Sequence, residues 1–105
     1  MLTDLNLCGN DIGDEGAKAF GEALAVNGVL TTLSLGDNYI RNEGATAIAE
    51  ALRGNGVLKT LDMSDNFIGH EDDMALEAAF RDNGVLTNLN LTRNKYTYAS
   101  VKLHP

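Results

Sequence analysis

The sequence predicts an α/β right-handed solenoid, with a parallel sheet on its concave side and α-helices on its convex side. Three observations predict this fold. The chain repeats itself at intervals of 28 residues, each repeat opens with a short segment of strand periodicity, and a longer segment of helical periodicity follows. Because a helix separates each strand from the next, consecutive strands need a crossover connection and therefore pair in parallel.

Five columns define the repeat. Two hold leucine throughout, the third holds leucine or methionine, the fourth holds asparagine, and the fifth holds isoleucine or tyrosine. In that order the columns are Leu2, Leu30, Leu58 and Leu86; Leu5, Leu33, Leu61 and Leu89; Leu7, Leu35, Met63 and Leu91; Asn10, Asn38, Asn66 and Asn94; and Ile12, Ile40, Ile68 and Tyr96. We expect one domain over residues 1–105 with about three and a half repeats, at roughly 2–29, 30–57, 58–85 and, in part, 86–105.

The first element of each unit is a short strand. Leu5 and Leu7 lie two residues apart, so a strand turns both side chains to one face and the residue between them to the other. The leucine face packs against the helices, and the alternate residues form the floor of the concave surface. That floor is predicted to be small and polar, with Thr60 and Asp62 among its members.

An asparagine follows each strand, where the chain turns toward the helix. Backbone groups in a buried turn lose their water partners, and an asparagine side chain can donate to carbonyls and accept from amides. Stacked repeats place the four asparagines side by side, so we expect them to form a ladder along the solenoid. The pattern indicates a structural role for this column and not a catalytic one.

The second element is a helix, visible as an apolar stripe. Its members are Ala17, Phe20, Ala23 and Leu24 in the first unit, Ala45, Ile48, Ala51 and Leu52 in the second, and Ala75, Leu76, Ala79 and Phe80 in the third. Asp14 and Asn42 occupy the predicted N-cap column. Asn27 and Gly28, like their equivalents, end the helix, and the glycine is expected to take the left-handed conformation of a C-cap.

Composition and charge restrict the class of partner. With 105 residues, 44% of them hydrophobic, the chain is long enough for one compact core. A net charge of −7 and the lack of any Lys/Arg block disfavour nucleic acid and anionic membranes as partners. A protein partner with a basic patch is favoured, although the acidity could serve solubility alone. The single cysteine, Cys8, and the lack of a secretory signal in this sequence indicate a cytoplasmic location.

The run LTTLSLGDNYIRNEGATAIAEALRGNGV resembles the ribonuclease-inhibitor-like subfamily of leucine-rich repeats, whose units of similar length carry a full α-helix. The resemblance covers essentially residues 2–96. This subfamily includes ribonuclease inhibitor, the ligand-sensing tails of NOD-like receptors, tropomodulin-type actin regulators and Ran GTPase-activating protein. The resemblance implies a horseshoe segment that binds proteins, since most members bind proteins and almost none carry out chemistry themselves.

The expected recognition surface is the strand-to-helix rim together with the concave sheet. Exposed aromatic residues beside charges dominate interface energetics, and the rim column of Tyr39 and Phe67 is flanked by that of Asp37 and Asp65. The predicted partner-binding residues are Asp37, Tyr39, Asp65, Phe67, Asp62, Thr60 and Arg93. The two rings could instead only cover the loops of neighbouring repeats and pack on each other, and both roles are compatible.

No catalytic residue, metal site or cofactor is expected. His70 is followed by Glu71, Asp72 and Asp73, but consecutive carboxylates at a helix start diverge around the axis and complement the helix dipole. The predicted function is therefore a non-catalytic protein-interaction scaffold. Two alternatives stay open: a part of a GTPase-activating protein of the Ran-regulator type, and a purely structural or oligomerising spacer.

Both ends depart from the regular pattern. The first unit has no polar cap over its leucines, which solenoids normally need. We therefore expect a segment of a longer horseshoe, or self-association through the uncapped N-terminal end. The final run TRNKYTYASVKLHP loses the helical pattern and could form a partial cap from Tyr96, Tyr98, Val101 and Leu103.

Overall fold

The computed structural model describes residues 2–94 and 101–103 and has the predicted alternation of strands and helices. The elements are β1 (Asp4–Asn6), α1 (Gly13–Val26), β2 (Thr32–Ser34), α2 (Asn42–Gly54), β3 (Thr60–Asp62), α3 (His70–Asp82), β4 (Asn88–Asn90) and β5 (Val101–Leu103). The predicted α/β solenoid is confirmed as a horseshoe segment of three to four repeats. Within these described residues, no helix combines the length and the apolar character needed to cross a membrane.

The strands form one sheet in chain order. β1 to β4 are parallel, and their register aligns Leu5, Leu33, Leu61 and Leu89 across the sheet. β5 pairs antiparallel with β4, with Lys102 opposite Leu89. The fourth repeat therefore continues into an antiparallel strand where the earlier repeats form a helix. Of the residues expected to cap this end, Tyr96 and Tyr98 lie outside the described residues, as do the side chains of Val101 and Leu103.

The apolar core lies between the sheet and the helices. Its largest fully buried side chains are those of Leu33, Leu35, Ile40, Ile48, Leu52, Leu58, Leu61, Met63, Ile68, Leu76, Leu86 and Leu89. Four of the equivalent residues of the first repeat are only partly buried, namely Leu5, Leu7, Ile12 and Phe20. Leu2 is 62% exposed. The apolar core is thus less fully covered in the first repeat than in the later ones.

The asparagine column forms the expected ladder. Asn66 Nδ2 donates to three carbonyl oxygens, including that of Leu35 in the preceding repeat at 3.0 Å. Its Oδ1 accepts the backbone N–H groups of Asn38 at 3.0 Å and Ile40 at 2.9 Å. Asn94 makes the same kind of link one repeat later. Asn38, Asn66 and Asn94 therefore each satisfy backbone groups of two repeats, whereas within the described residues Asn10 donates only to carbonyls of its own repeat. The predicted ladder is formed from the second repeat onward.

The predicted N-caps are wrong. The helices begin at or before Asp14 and Asn42, and none receives a side-chain hydrogen bond from its own N-cap residue. Asp14 Oδ1 instead accepts the N–H groups of Arg41 at 2.7 Å and Gly44 at 3.0 Å, and Asn42 Oδ1 accepts that of Gly69 at 2.8 Å. Stacking brings the first turns of consecutive helices side by side. Each of these side chains therefore caps the helix of the next repeat.

The predicted left-handed C-caps are also wrong. Asn27, Asn55 and Asn83 follow the helices with extended backbones, at φ values of −79°, −93° and −85°. The glycine after each asparagine does not have a positive φ. Each asparagine Oδ1 accepts the N–H groups two and three residues on, as Asn27 does from Val29 at 2.9 Å and Leu30 at 2.7 Å. A side-chain turn therefore replaces the glycine cap.

Candidate partner-binding rim

A left-handed turn after each strand forms the start of the rim. Gly9, Asp37, Asp65 and Arg93 occupy one column of the repeat and have φ values of 74°, 55°, 55° and 56°. The first three donate their backbone N–H groups to the following repeat, as Asp65 does to the carbonyl of Thr92 at 2.9 Å. Short polar side chains tolerate this backbone conformation better than most residues. Aspartate therefore fits a turn whose backbone is fixed by hydrogen bonds.

Tyr39 and Phe67 lie side by side on the rim. Their ring centroids are 6.0 Å apart and the ring planes make an angle of 19°, which is a stacked arrangement. Tyr39 is 53% exposed and Phe67 is 48% exposed. The rings therefore pack on each other across two repeats, and about half of the surface of each residue still faces solvent.

The asparagine ladder positions this aromatic pair. Tyr39 has a φ of 59°, which is uncommon for a bulky residue. The N–H groups on either side of it, from Asn38 and Ile40, both donate to Asn66 Oδ1. The neighbouring Phe67 donates its N–H to the carbonyl of Ile40 at 2.8 Å. The buried side chain of Asn66 thus fixes the backbone on both sides of Tyr39. Because Asn66 is also the residue before Phe67, the same residue positions both rings.

Arg41 completes the aromatic surface and was not predicted from the sequence. Its guanidinium carbon lies 5.5 Å from the centroid of the Phe67 ring, within the range of a cation–π contact. The available signal was its position, since it follows Tyr39 by two residues on the same rim segment. An arginine over an aromatic ring adds a second residue type that is common in binding hot spots.

Asp65 and Arg93 form an ion pair beside the aromatic surface. Arg93 Nε donates to Asp65 Oδ1 at 2.7 Å, and Nη2 donates to Oδ2 at 2.9 Å. The hydrogen bond from Arg93 lowers the pKa of the Asp65 carboxyl. The hydrogen bond and charge of Asp65 raise the pKa of Arg93, and the charge of Asp62 raises it further. Asp62, Asp65 and Arg93, all predicted from the sequence, therefore form one cluster of interacting charges at this end of the rim.

The remaining predicted residues occupy different parts of the surface. Asp37 is exposed in its turn, whereas Thr60 and Asp62 are half-buried on β3, on either side of the buried Leu61. Asp62 Oδ1 accepts the N–H of Ser64 at 2.9 Å, so this carboxylate also holds the turn after the strand. We call Asp37, Tyr39, Arg41, Asp65, Phe67 and Arg93 the rim patch.

The floor of the sheet next to the rim offers little room for large side chains. A Cβ placed on Gly36 would lie 3.0 Å from Cys8 Sγ and 3.1 Å from Ser64 Oγ, so the face is closely filled by small groups. Cys8 itself is exposed and unpaired. The larger apolar contacts on this side of the solenoid are therefore offered by the rim patch and not by the strands.

Comparison with known proteins finds similarity to leucine-rich repeats. The model of the family described as Leucine Rich repeat matches residues 1–21 and 26–49. No curated protein matches the chain. A structure of leiomodin-1 actin-binding site 2 is similar over 93% of this chain and 57% of that one, with a TM-score of 0.85 and 27% identity. The C-terminal domain of tropomodulin from Caenorhabditis elegans is similar over 90% and 57%, with a TM-score of 0.79 and 18% identity. The chain thus spans under two thirds of each of these structures.

Proposed function

We propose that this chain is a leucine-rich repeat domain of the ribonuclease-inhibitor-like, tropomodulin-type kind. Its proposed role is that of a non-catalytic scaffold that binds a protein partner through the rim patch and the adjoining sheet. The stacked, half-exposed pair of Tyr39 and Phe67 supports this proposal most directly. Solvent-facing aromatic surface on a rigid base is typical of residues that contribute most to protein binding.

The expected binding energy follows from the exposed area. An aromatic side chain covers roughly 150–250 Å², so half of one presents about 100 Å² to a partner. At about 25 cal/mol per Å², covering this surface on both residues gives on the order of 5 kcal/mol before the costs of association. The stack and the ladder bonds around Asn66 lower those costs, because the rings are already ordered in the free protein.

The charges suggest the chemistry of the partner. The chain carries a net charge of −7, and Asp37 is exposed on the rim patch. Asp65 is partly neutralised by Arg93. The rim patch itself holds two carboxylates and two guanidiniums, so the attraction for a basic partner would come from the net charge of the whole chain. The association rate would then fall as ionic strength rises.

Actin is the first candidate partner, because the leiomodin-1 structure similar to this chain is an actin-binding site. The test is a titration of fluorescently labelled actin with the wild-type chain and with the Tyr39→Ala/Phe67→Ala variant. Met74→Ala is the matched control, since Met74 is 55% exposed but lies on α3, away from the rim. Saturable binding that the double substitution weakens more than about tenfold, and the control leaves unchanged, supports the proposal. Equal affinity for all three proteins contradicts the rim as the site, and the lack of any binding contradicts actin as the partner.

We also propose that the open N-terminal end allows self-association. A cavity of about 150 Å³ opens there among Leu2, Leu5, Phe20, Ala23, Leu24, Asn27, Leu30 and Leu33. Exposed apolar surface of this kind favours contact with a second copy. Sedimentation velocity over a range of concentrations checks this, and a strict monomer throughout contradicts it.

We further propose that the protein acts in the cytoplasm. The exposed free thiol of Cys8 is consistent with this location, because cysteines stay reduced there.

A further inference from the structure

A groove lies on the convex side of the solenoid, between α1 and α2. It has a volume of about 690 Å³, and small residues of both helices form much of its lining, namely Gly21, Ala25, Ala47 and Ala51. Gly21 and Ala51 are buried, and a Cβ placed on Gly21 would lie 2.9 Å from the carbonyl oxygen of Ala47. The two helices therefore approach closely beneath the groove, and the short side chains leave the space above them open.

The equivalent positions of the next helix pair carry longer side chains. One repeat later, Arg53 occupies the position of Ala25. Its Nη1 lies 3.1 Å from Asp82 Oδ2, so the arginine connects α2 with α3. Met74 likewise occupies the column of Thr46, which lines the groove. Between α1 and α2 the corresponding side chains are short, so the opening of the groove is a property of the residues that these two helices carry.

The charges along the groove are mostly negative. Glu22, Glu43 and Glu50 line it together with one cation, Lys18. Lys18 Nζ lies 3.2 Å from Glu43 Oε2, and the hydrogen bond and charge of Glu43 raise the pKa of the lysine, so these two groups balance each other. Glu22 and Glu50 are exposed, and neither forms an ion pair within residues 2–94 and 101–103. The groove therefore has one uncompensated carboxylate on each of its two helices.

We infer that the groove between α1 and α2 is a second docking site, and that its occupant is a short amphipathic helix of a partner protein, with small apolar residues on one face and lysine or arginine along both flanks. The lining extends from Lys18 to Ala25 on α1, which is about two turns or roughly 11 Å of helix. Small residues allow a third helix to approach closely, and docking of an amphipathic helix in a groove is a common mode of recognition. Cations on the two flanks would lie beside Glu22 and Glu50.

Charge complementarity favours a basic helix over a second copy of this chain. The three helices of this protein all have acidic residues in their first turn, and the chain has a net charge of −7. A second copy would therefore bring like charges toward Glu22 and Glu50, which disfavours association. The groove shares no lining residue with the rim patch, so a partner helix in the groove leaves the rim patch accessible.

The test is an NMR titration of the isotope-labelled chain with a synthetic amphipathic peptide, about 15 residues long, that carries alanine on one face and lysine along both flanks. The control peptide has glutamate in place of every lysine. With the lysine peptide we expect saturable shifts of the amide signals of residues 18–25 and 43–51. The dissociation constant should lie between micromolar and millimolar, because the contact area is small. With the glutamate peptide we expect no shifts.

Two variants separate the charge of the groove from its shape. Glu22→Gln/Glu50→Gln keeps the shape and removes both uncompensated carboxylates, so the dissociation constant for the lysine peptide should rise about fivefold. Ala25→Arg introduces the residue found one repeat later, which fills the groove and adds a cation, and the dissociation constant should rise more than about tenfold. All three positions are exposed, so the fold should be retained, and the amide spectrum of each variant checks this.

Asp11→Asn/Glu71→Gln is the matched control, because it removes two exposed carboxylates outside the groove. It should change the dissociation constant by less than about twofold, since solvent and salt screen charges at that distance. A lack of saturable shifts with the lysine peptide, equal binding of the glutamate peptide, or an equal loss of affinity in the control variant would overturn the inference. An unchanged dissociation constant in either groove variant, or shifts centred on the rim patch or on α3, would overturn it as well.

Discussion

Asp14 Oδ1 accepts the backbone N–H of Arg41 at 2.7 Å, although the two residues belong to consecutive repeats. The same oxygen accepts the N–H of Gly44 at 3.0 Å, inside the first turn of α2. The cap of one helix is therefore supplied by the helix before it. This arrangement couples the folding of neighbouring repeats, because unfolding of the first repeat leaves the start of α2 without its acceptor.

Asp14→Ala should lower the free energy of unfolding by about 1–2 kcal/mol, because the N–H groups of Arg41, just before α2, and of Gly44, in its first turn, lose their acceptor. Urea-induced unfolding measures the change. Glu15→Ala is the control, since the Glu15 side chain is 93% exposed and its nearest ion-pair partner, Lys18, lies 3.8 Å away. The control should change stability by less than about 0.5 kcal/mol. Equal losses for the two variants would show that the inter-repeat cap contributes nothing.

Asn66→Ala should be the most damaging substitution in the asparagine column. The side chain is 4% exposed and makes five hydrogen bonds to backbone groups, all of which lose their partner in the alanine variant. A loss of roughly 3 kcal/mol or more is expected. Asn10→Ala removes an exposed member of the same column and should cost under about 1 kcal/mol. If thermal denaturation gives the same loss for both, burial of the ladder does not determine its contribution.

Gly44→Ala tests how closely α1 and α2 approach each other. A Cβ at this position would lie 2.8 Å from Ala17 Cβ and 2.9 Å from Ile40 Cγ2, so the helices must shift and stability should fall by about 1–3 kcal/mol. Gly54, at the end of α2, has open space around a built Cβ. Gly54→Ala should therefore be neutral or stabilising by up to about 1 kcal/mol. A stabilising effect of Gly44→Ala would contradict the close packing of the helices.

The pKa of Asp65 should rise when Arg93 is replaced by methionine, since the hydrogen bond from Arg93 is the main cause of its depression. A depressed pKa in the folded state stabilises the protein above the pKa of the unfolded chain, and this contribution disappears as the pH falls through the folded pKa. The effect on stability should be small, because the pair is exposed. A carboxyl-detected NMR titration gives the pKa directly, and Arg53→Met, which removes a cation paired with Asp82, should not change it.

The period of the sequence predicted the register of the strands and the asparagine ladder. Because Leu33 and Leu61 occupy one column, the sheet register could be read from the spacing alone, and the structure pairs these two residues. The ladder around Asn66 followed from the same logic, since a buried turn needs side-chain partners and the repeats place one beside it. Alignment of the repeats with one another therefore identifies the residues that build the solenoid and the residues that lie beside them in the next repeat.

The caps and the full rim patch depended on information that the period does not contain. Propensity rules assign Asp14 to its own helix, whereas the lateral offset between stacked helices brings its oxygen to Arg41 and Gly44. The contact of Arg41 with Phe67 depends on the conformation of a long side chain, which a sequence pattern does not specify. The residues of the strands and of the asparagine ladder were thus predictable from the sequence. The side chains that contact a neighbouring repeat through a cap or a long flexible chain were only partly predictable.

The central claim is that the rim patch is the partner-binding surface, and site-specific photo-cross-linking tests it most directly. A photoreactive phenylalanine analogue is placed at Tyr39 or at Phe67, or at the control position Met74 on α3, which is exposed to a similar extent. After irradiation in an extract of the source cells, the yield of a discrete protein adduct is measured for each position. The account predicts the same adduct from positions 39 and 67 and none from position 74. Equal adduct from all three positions, or adduct from position 74 alone, would contradict it.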